Sequence, residues 1–254
     1  HAAGDPDRPG LRHHDPLALS PAAVRKGPAP VWLFDLDNTL HNASHAAFGH
    51  INQLMSAYIV RELGLSLEQA DALRRDYWRR YGATLLGLVR HHGVKPAHFL
   101  HHTHLLPGLE SRVHGHPHDF AALKRLPGRR YILTNAPADY TARVLGVLGI
   151  AAWFDGVLSI EDMQMFGELR PKPDARMLRR MAVKLGVSPA RCVLVEDTLE
   201  HQKAARRVGM KTVWMQRWAR AASLRGAPAA PFRTGRPGYV DRRITSLAQL
   251  LRSG

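Results

Sequence analysis

The feature that most constrains this chain is a set of four short apolar runs that do not alternate with polar residues. They are Val31-Trp32-Leu33-Phe34, Tyr131-Ile132-Leu133, Cys192-Val193-Leu194-Val195 and Thr212-Val213-Trp214-Met215. A brief unalternating run describes a strand covered on both faces, as in a parallel sheet. Helical patterns separate the later runs, and Gly149, Gly186 and Gly209 fall where those helices should stop. Strands alternating with helices predict an α/β fold with a Rossmann-like open parallel sheet as its core.

Residues 45–119 interrupt that alternation. Phe48, Ile51, Met55, Tyr58 and Ile59 recur at helical spacing. Ser66-Leu67-Glu68-Gln69 is a capping-box pattern, followed by Leu67, Ala70, Leu73, Tyr77 and Tyr81 on one stripe. The stretch predicts an inserted α-helical cap, a lid over the strand ends that would control access and specificity. Tyr77 and Trp78 are expected to pack within the lid, and Tyr81 either packs there or faces a ligand. The expected organisation is a Pro/Ala/Gly/His-rich arm over 1–30, a core over 31–44 and 120–218, the cap over 45–119, and a basic extension over 219–254. Within that extension 219–235 reads as loop and Ile244 to Leu251 as a short closing helix.

Composition narrows the classes. Apolar residues at 45% and charged residues at 22% match ordinary globular usage, which argues against a disordered chain. No apolar run approaches the ~18 residues of a membrane span, and no basic-then-apolar leader is visible. One cysteine, Cys192, excludes an internal disulfide and a Cys-based zinc cluster, so a reducing cytoplasm is the expected setting. Lys plus Arg outnumber Asp plus Glu by 36 − 21 = +15, and eight arginines against Asp241 alone lie between Arg217 and Gly254. Such charge suits nucleic acid, an acidic membrane surface or the steering of anionic substrates. No nucleic-acid recognition motif accompanies it, so nucleic acid is not the expected ligand. There is also no Walker loop, Gly-x-Gly-x-x-Gly, His-Glu-x-x-His or Gly-x-Ser-x-Gly.

Open parallel sheets bind ligands beyond the carboxyl ends of their strands. Asp35 and Asp37 follow the first run, Thr134 and Asn135 the second, Glu196 and Asp197 the third. Lys172 lies in Arg170-Pro171-Lys172-Pro173, stiffened by prolines on both sides. Carboxylates crowded at one edge repel unless a cation sits among them, and magnesium, hard and oxygen-seeking, suits the set. A carboxylate nucleophile facing an anionic phosphate ester needs that charge neutralised, and a second carboxylate can move the protons.

In this order, Asp35-Leu36-Asp37-Asn38-Thr39, Thr134, Lys172 and Glu196-Asp197 resemble the four motifs of the haloacid dehalogenase superfamily, over about Val31 to Trp218. The resemblance implies Asp35 as nucleophile and magnesium ligand, and Asp37 as acid/base with its main-chain carbonyl on the metal. It implies Thr39, Thr134, Asn135 and Lys172 around the phosphoryl group, and Asp197 as the remaining metal ligand, with Glu196 ranked below it. An acid at Asp37 points to phosphatases rather than dehalogenases. Asp35 through His41, Tyr81-Gly82 through Gly87-Leu88-Val89, Thr134-Asn135-Ala136 and Gly238-Tyr239-Val240-Asp241 are similar to the pyrimidine 5′-nucleotidase branch. That branch implies a nucleoside 5′-monophosphate as the small phosphorylated substrate, with Tyr81 and His92 facing the nucleoside. The alternatives are a sugar-phosphate phosphatase or phosphomutase on the same core, and a basic nucleic-acid-binding protein with an idle phosphatase core.

Each of these residues also has a structural reading. Asp35 and Asp37 could cap a turn, Thr134 could bond its own backbone, Lys172 could be a surface charge, and Glu196 could cap a helix. Twelve of the sixteen histidines fall between His41 and His118, and His114-Gly115-His116-Pro117-His118 is a metal-binding-like tract. No acid or cysteine stands at ligand spacing from it, so the tract is expected to be solvated lid surface.

Overall fold

A computed structural model describes residues 27–224 and 235–252. Most of the expected arm, residues 1–26, and most of the expected loop, 225–234, therefore lie outside the described residues. Six parallel strands form the core sheet: β1 (Val31–Phe34), β2 (Arg129–Leu133), β3 (Gly156–Leu158), β6 (Cys192–Glu196), β7 (Lys211–Met215) and β8 (Arg242–Ile244). Their order is β3-β2-β1-β6-β7-β8, so the chain winds outward from β1 in one direction and then in the other. The crevice between β1 and β6 is the switch point where such sheets bind ligands. A two-stranded antiparallel hairpin, β4 (Gln164–Met165) and β5 (Glu168–Leu169), stands apart from this sheet.

The lack of alternation in β1 follows from its two covers. Trp32 and Phe34 enter one apolar cluster with Ala122 and Leu123 of α5 (Pro117–Arg125) and Tyr140 and Val144 of α6 (Ala138–Leu148). Val31 and Leu33 enter another with Met177 and Met181 of α7 (Ala175–Lys184) and Ala204 and Ala205 of α8 (Leu199–Arg207). The two strands absent from the sequence reading, β3 and β8, are the sheet's edges. Edge strands have a neighbour on one side only, and β8 reads Arg-Arg-Ile, so no apolar run announces it. The tail is consequently part of the core: β8 pairs with β7, and Leu247–Leu251 is a 3₁₀ turn with Leu247 and Leu250 in the β1 cluster. The segment expected as loop from 219 begins instead as helix α9 (Arg217–Leu224).

The insert is helical, with a π-helical turn at Ser44–Phe48, then α1 (Gly49–Leu63), α2 (Leu67–Tyr81), α3 (Thr84–His92) and α4 (Pro96–Thr103). The Ser66 hydroxyl accepts from the Gln69 amide and the Gln69 side chain returns the bond, which is the capping box in place. Gly82 ends α2 at φ 78°, a conformation that favours glycine. Tyr58, Ile59, Tyr77, Leu85, Leu88 and Phe99 make a core of their own. Ala46, Ala47, Ile51, Leu106, Leu109 and Val113 pack instead into the β1 cluster. The helical insert thus packs partly on itself and partly on the sheet. No helix among the described residues is long and apolar enough to cross a membrane.

Candidate active site

Register places the polar residues together. Phe34 pairs with Ile132 on one side and Val195 on the other, so β1 ends one residue short of β2 and β6. Asp35, Thr134 and Glu196-Asp197 therefore emerge at one sheet edge, with the Asp35 amide still donating to the Val195 carbonyl at 2.9 Å. Above them lies a cavity of about 530 Å³ between sheet edge and cap. Asp35, Asp37, Thr134, Asn135, Lys172, Glu196 and Asp197 all line it.

Lys172 is the centre of the buried charge. Its ammonium, 2% exposed as a residue, donates to Asp35 Oδ1 at 2.8 Å, Glu196 Oε2 at 2.6 Å and the Leu133 carbonyl at 2.8 Å. The Asn135 amide clamps the Lys172 backbone, accepting from its N–H at 2.9 Å and donating to its carbonyl at 3.0 Å. Asn135 is thus seen holding the lysine. Thr39, completely buried and absent from the cavity wall, donates to Asp35 Oδ2 at 3.1 Å. Thr39 thus stands behind the Asp35 carboxylate, four residues on around the turn. Thr134 accepts from the Ala136 amide at 3.0 Å, the turn bond weighed above, and still reaches the cavity.

Glu196 joins the site to a helix start. Its Oε1 accepts from the amides of Asp197 and Thr198, while His201 on α8 stands 3.0 Å from Oε2. The electrostatics follow from the crowding. Burial and the neighbouring Glu196 charge push Asp35 up to about 8, with Lys172 opposing them. Burial and the charges of Glu196 and Asp35 hold Asp197 well above the usual carboxylate range. Glu196 is pushed up by burial, yet Lys172 and His201 hold it below that range. Burial lowers Lys172, but Asp35 and Glu196 more than reverse it.

Carboxylate oxygens of Asp35, Glu196 and Asp197 lie within 4.8 Å of one another, and they form the only group of three or more acids, histidines or cysteines so arranged among the described residues. Two buried carboxylates and the half-buried Asp197 against one ammonium leave excess negative charge, and Asp35 and Asp197 are driven toward the neutral form. A hard divalent cation would relieve both effects, so the residues fit magnesium. Glu196 is already occupied by Lys172, His201 and two amides, which leaves Asp35 and Asp197 as the available donors.

Asp37 is held differently. Its Oδ1 accepts from the Tyr140 hydroxyl and lies against His41 Nε2, both at 2.7 Å, while Oδ2 takes part in neither bond. Asn38, at φ 58°, turns the chain there and ties to Ser44 through both ends of its amide. Tyr140 was not singled out from sequence, and His41 and His104, the latter lining the cavity beside Tyr140, were given no role at the site. Nor were Asn52 and Arg74 on the cap wall, and Trp78, expected as lid packing, is 66% exposed on that wall. Tyr81 and His92 do not line the cavity: Tyr81 bonds His91 and His92 bonds Tyr77.

With this sheet and this edge established, the comparisons agree on the class. The chain belongs to the haloacid dehalogenase-like hydrolases, whose family profile matches residues 31–209. It is similar to phosphate metabolism protein 8 of Saccharomyces cerevisiae, 25% identical over 77% of this chain and 63% of that protein. It is also similar to pyrophosphatase PpaX of Bacillus velezensis, 29% identical over 50% of this chain and 54% of that protein. The chain thus spans less than two thirds of either relative. CbbY from Rhodobacter sphaeroides, solved with phosphate, superposes with a TM-score of 0.58 at 19% identity, covering 88% of this chain and 96% of that one. A phosphatase of the same superfamily from Thermococcus onnurineus gives 0.55 at 22%, covering 87% and 95%. At such identities these two likenesses speak for the fold alone.

Proposed function

We propose that the protein is a magnesium-dependent phosphomonoester hydrolase that works through a phospho-aspartate on Asp35, with nucleoside 5′-monophosphates, pyrimidines first, as substrates. One observation carries the chemistry: the Asp35 carboxylate is fixed by Lys172 on one oxygen and Thr39 on the other, beside Asp197 and with Asp37 lining the same cavity. The names of the yeast and Bacillus relatives, a phosphate metabolism protein and a pyrophosphatase, support a phosphorylated substrate.

The Asp35 carboxylate attacks phosphorus while the bond to the ester oxygen breaks, and Asp37 gives that oxygen its proton. Asp37 then takes a proton from water, which attacks the same phosphorus, releases phosphate and restores Asp35. Lys172 and Thr134 bear on the phosphoryl oxygens, and the lysine offsets charge that grows during transfer. Magnesium, held by Asp35, Asp197 and the Asp37 main-chain carbonyl, would supply further positive charge against that of the ester. The open Oδ2 of Asp37 suits the proton work, since Tyr140 and His41 fix the carboxylate through Oδ1 alone.

Phosphate release tests the proposal, measured with magnesium on UMP, CMP, AMP, GMP, ribose 5-phosphate and p-nitrophenyl phosphate. UMP and CMP should lead the panel, Asp35→Asn should fall to background with its circular dichroism unchanged, and chelation should abolish turnover reversibly. Near-normal activity after either change overturns the mechanism, and activity on sugar phosphates alone removes the nucleotide assignment.

A further inference from the structure

Resting on that reading, we propose that the cap wall of the cavity is a subsite for a leaving group whose far end is a flat body carrying hydrogen-bond acceptors. A uracil-like base has that form. Arg74 and Asn52 would donate to its carbonyl oxygens and Trp78 would cover its face.

Arg74 is oriented without being neutralised. Its Nε donates to Ser56 Oγ at 3.2 Å and its Nη1 to Asn52 Oδ1 at 3.0 Å, two acceptors one turn apart on α1. Thr84 donates to the Arg74 carbonyl at 3.0 Å, which fixes the backbone as well. The nearest carboxylate, Asp71, is 3.8 Å away, and Ser56 donates its own proton to it. Arg143 grips Glu110 and Arg217 grips Asp119, each through two nitrogens, while Arg112 and Arg130, held like Arg74 by neutral acceptors, do not line the cavity. Arg74 lacks that fork although its side chain is only 18% exposed, and its Nη2 has no partner among the described residues. A charged donor held ready by neutral groups is how a site prepares for an acceptor it does not itself contain.

The neighbours define the ligand further. Arginine only donates, so Asn52 must present Oδ1 to it and keeps its NH₂ as a second donor. Trp78 lies one helical turn after Arg74 on the cavity wall, 66% exposed and in no aromatic pair among the described residues. An indole left open at a cavity mouth is a stacking surface. All four acids of the lining, Asp35, Asp37, Glu196 and Asp197, belong to the sheet edge and none to the cap. The cap side therefore offers donors and a flat apolar face, which matches carbonyl acceptors on a planar ring and disfavours an amino-rich or cationic group.

Calorimetry tests this with the full-length Asp35→Asn protein and magnesium, titrating UMP and ribose 5-phosphate, which share sugar and phosphate and differ in the base. UMP should bind more tightly, and adding Arg74→Ala should remove about 10- to 100-fold from UMP while sparing ribose 5-phosphate. Arg74→Lys should recover part of the loss, and Trp78→Ala should weaken UMP about tenfold. The unchanged sugar-phosphate affinity doubles as the check on folding. UMP binding no tighter than ribose 5-phosphate, or Arg74→Ala weakening both alike, overturns the subsite and leaves the phosphatase reading standing. Failure of both ligands to bind, together with no hydrolysis of p-nitrophenyl phosphate by the unaltered protein, removes the phosphatase reading and the subsite with it.

Discussion

Tyr140 and His41 meet on one oxygen of Asp37, and the consequence is specific. Neither reaches the cavity wall, so both act by holding the carboxylate at the angle that leaves Oδ2 open. Tyr140→Phe removes one of the two bonds and keeps the ring that packs against Val144 and Ile132. On the proposed mechanism kcat should fall about tenfold while KM stays nearly constant, because the loss is one positioning bond rather than a substrate contact. Steady-state kinetics on p-nitrophenyl phosphate would show it, and a change in KM alone would contradict the role. At this scale the residues that follow apolar runs were legible in sequence: Asp35, Asp37, Thr134 and Asp197 sit just past a strand and Glu196 ends one. Tyr140 was not, since it reaches Asp37 across 103 residues and sits in an ordinary helix. The bonds of Thr39 to Asp35 and of Asn135 to the Lys172 backbone were not legible, because side-chain direction is set by the tertiary fold.

Elements of the cap are held by close contact and a few ion pairs. Gly87 on α3 faces Tyr77 on α2 so tightly that a Cβ there would lie 2.2 Å from the tyrosine ring. Gly87→Ala should cost about 1–3 kcal/mol through overpacking, read as faster hydrogen exchange in α2 and α3 with the sheet unaffected. Glu110, in the segment returning from the cap, is held at about 2 by its bond to Arg143 on α6. The folded value lies below the ordinary 4.5, so its contribution is complete above that pH and is lost as pH falls toward 2. Across that window the Tm of Glu110→Gln should fall less steeply than that of the unaltered protein. The cap's helices could be read from apolar spacing and from the Ser66 capping box. Which surface each part of the insert packs on could not, because Ile51 of α1 and Leu106 after α4 join the sheet's cluster rather than that of the cap helices.

The whole molecule is closed by its tail. Asp119, at the start of α5 and 4% exposed, accepts from Arg217, the Ser246 hydroxyl and the Leu247 amide. One buried carboxylate thereby joins the re-entry from the cap, the end of β7 and the last turn of the chain. Asp119→Ala leaves Arg217 and two donors without their acceptor and should cost about 3–5 kcal/mol, lowering Tm by roughly 10 °C for a core of this size. Thermal denaturation checks it, and a shift of a degree or less would mean the tail is held by apolar packing alone. By itself the sequence determined the parallel core and the order of its chemical groups, because strands buried on both faces need unbroken apolar runs and because polar residues at their ends stand out against them. Edge strands, the tail's place in the sheet, the bonds on Asp37 and the cap wall facing the site were decided only by tertiary structure. Those features depend on which distant surfaces meet, and a polar residue aimed into a cavity has the same local pattern as one aimed into water.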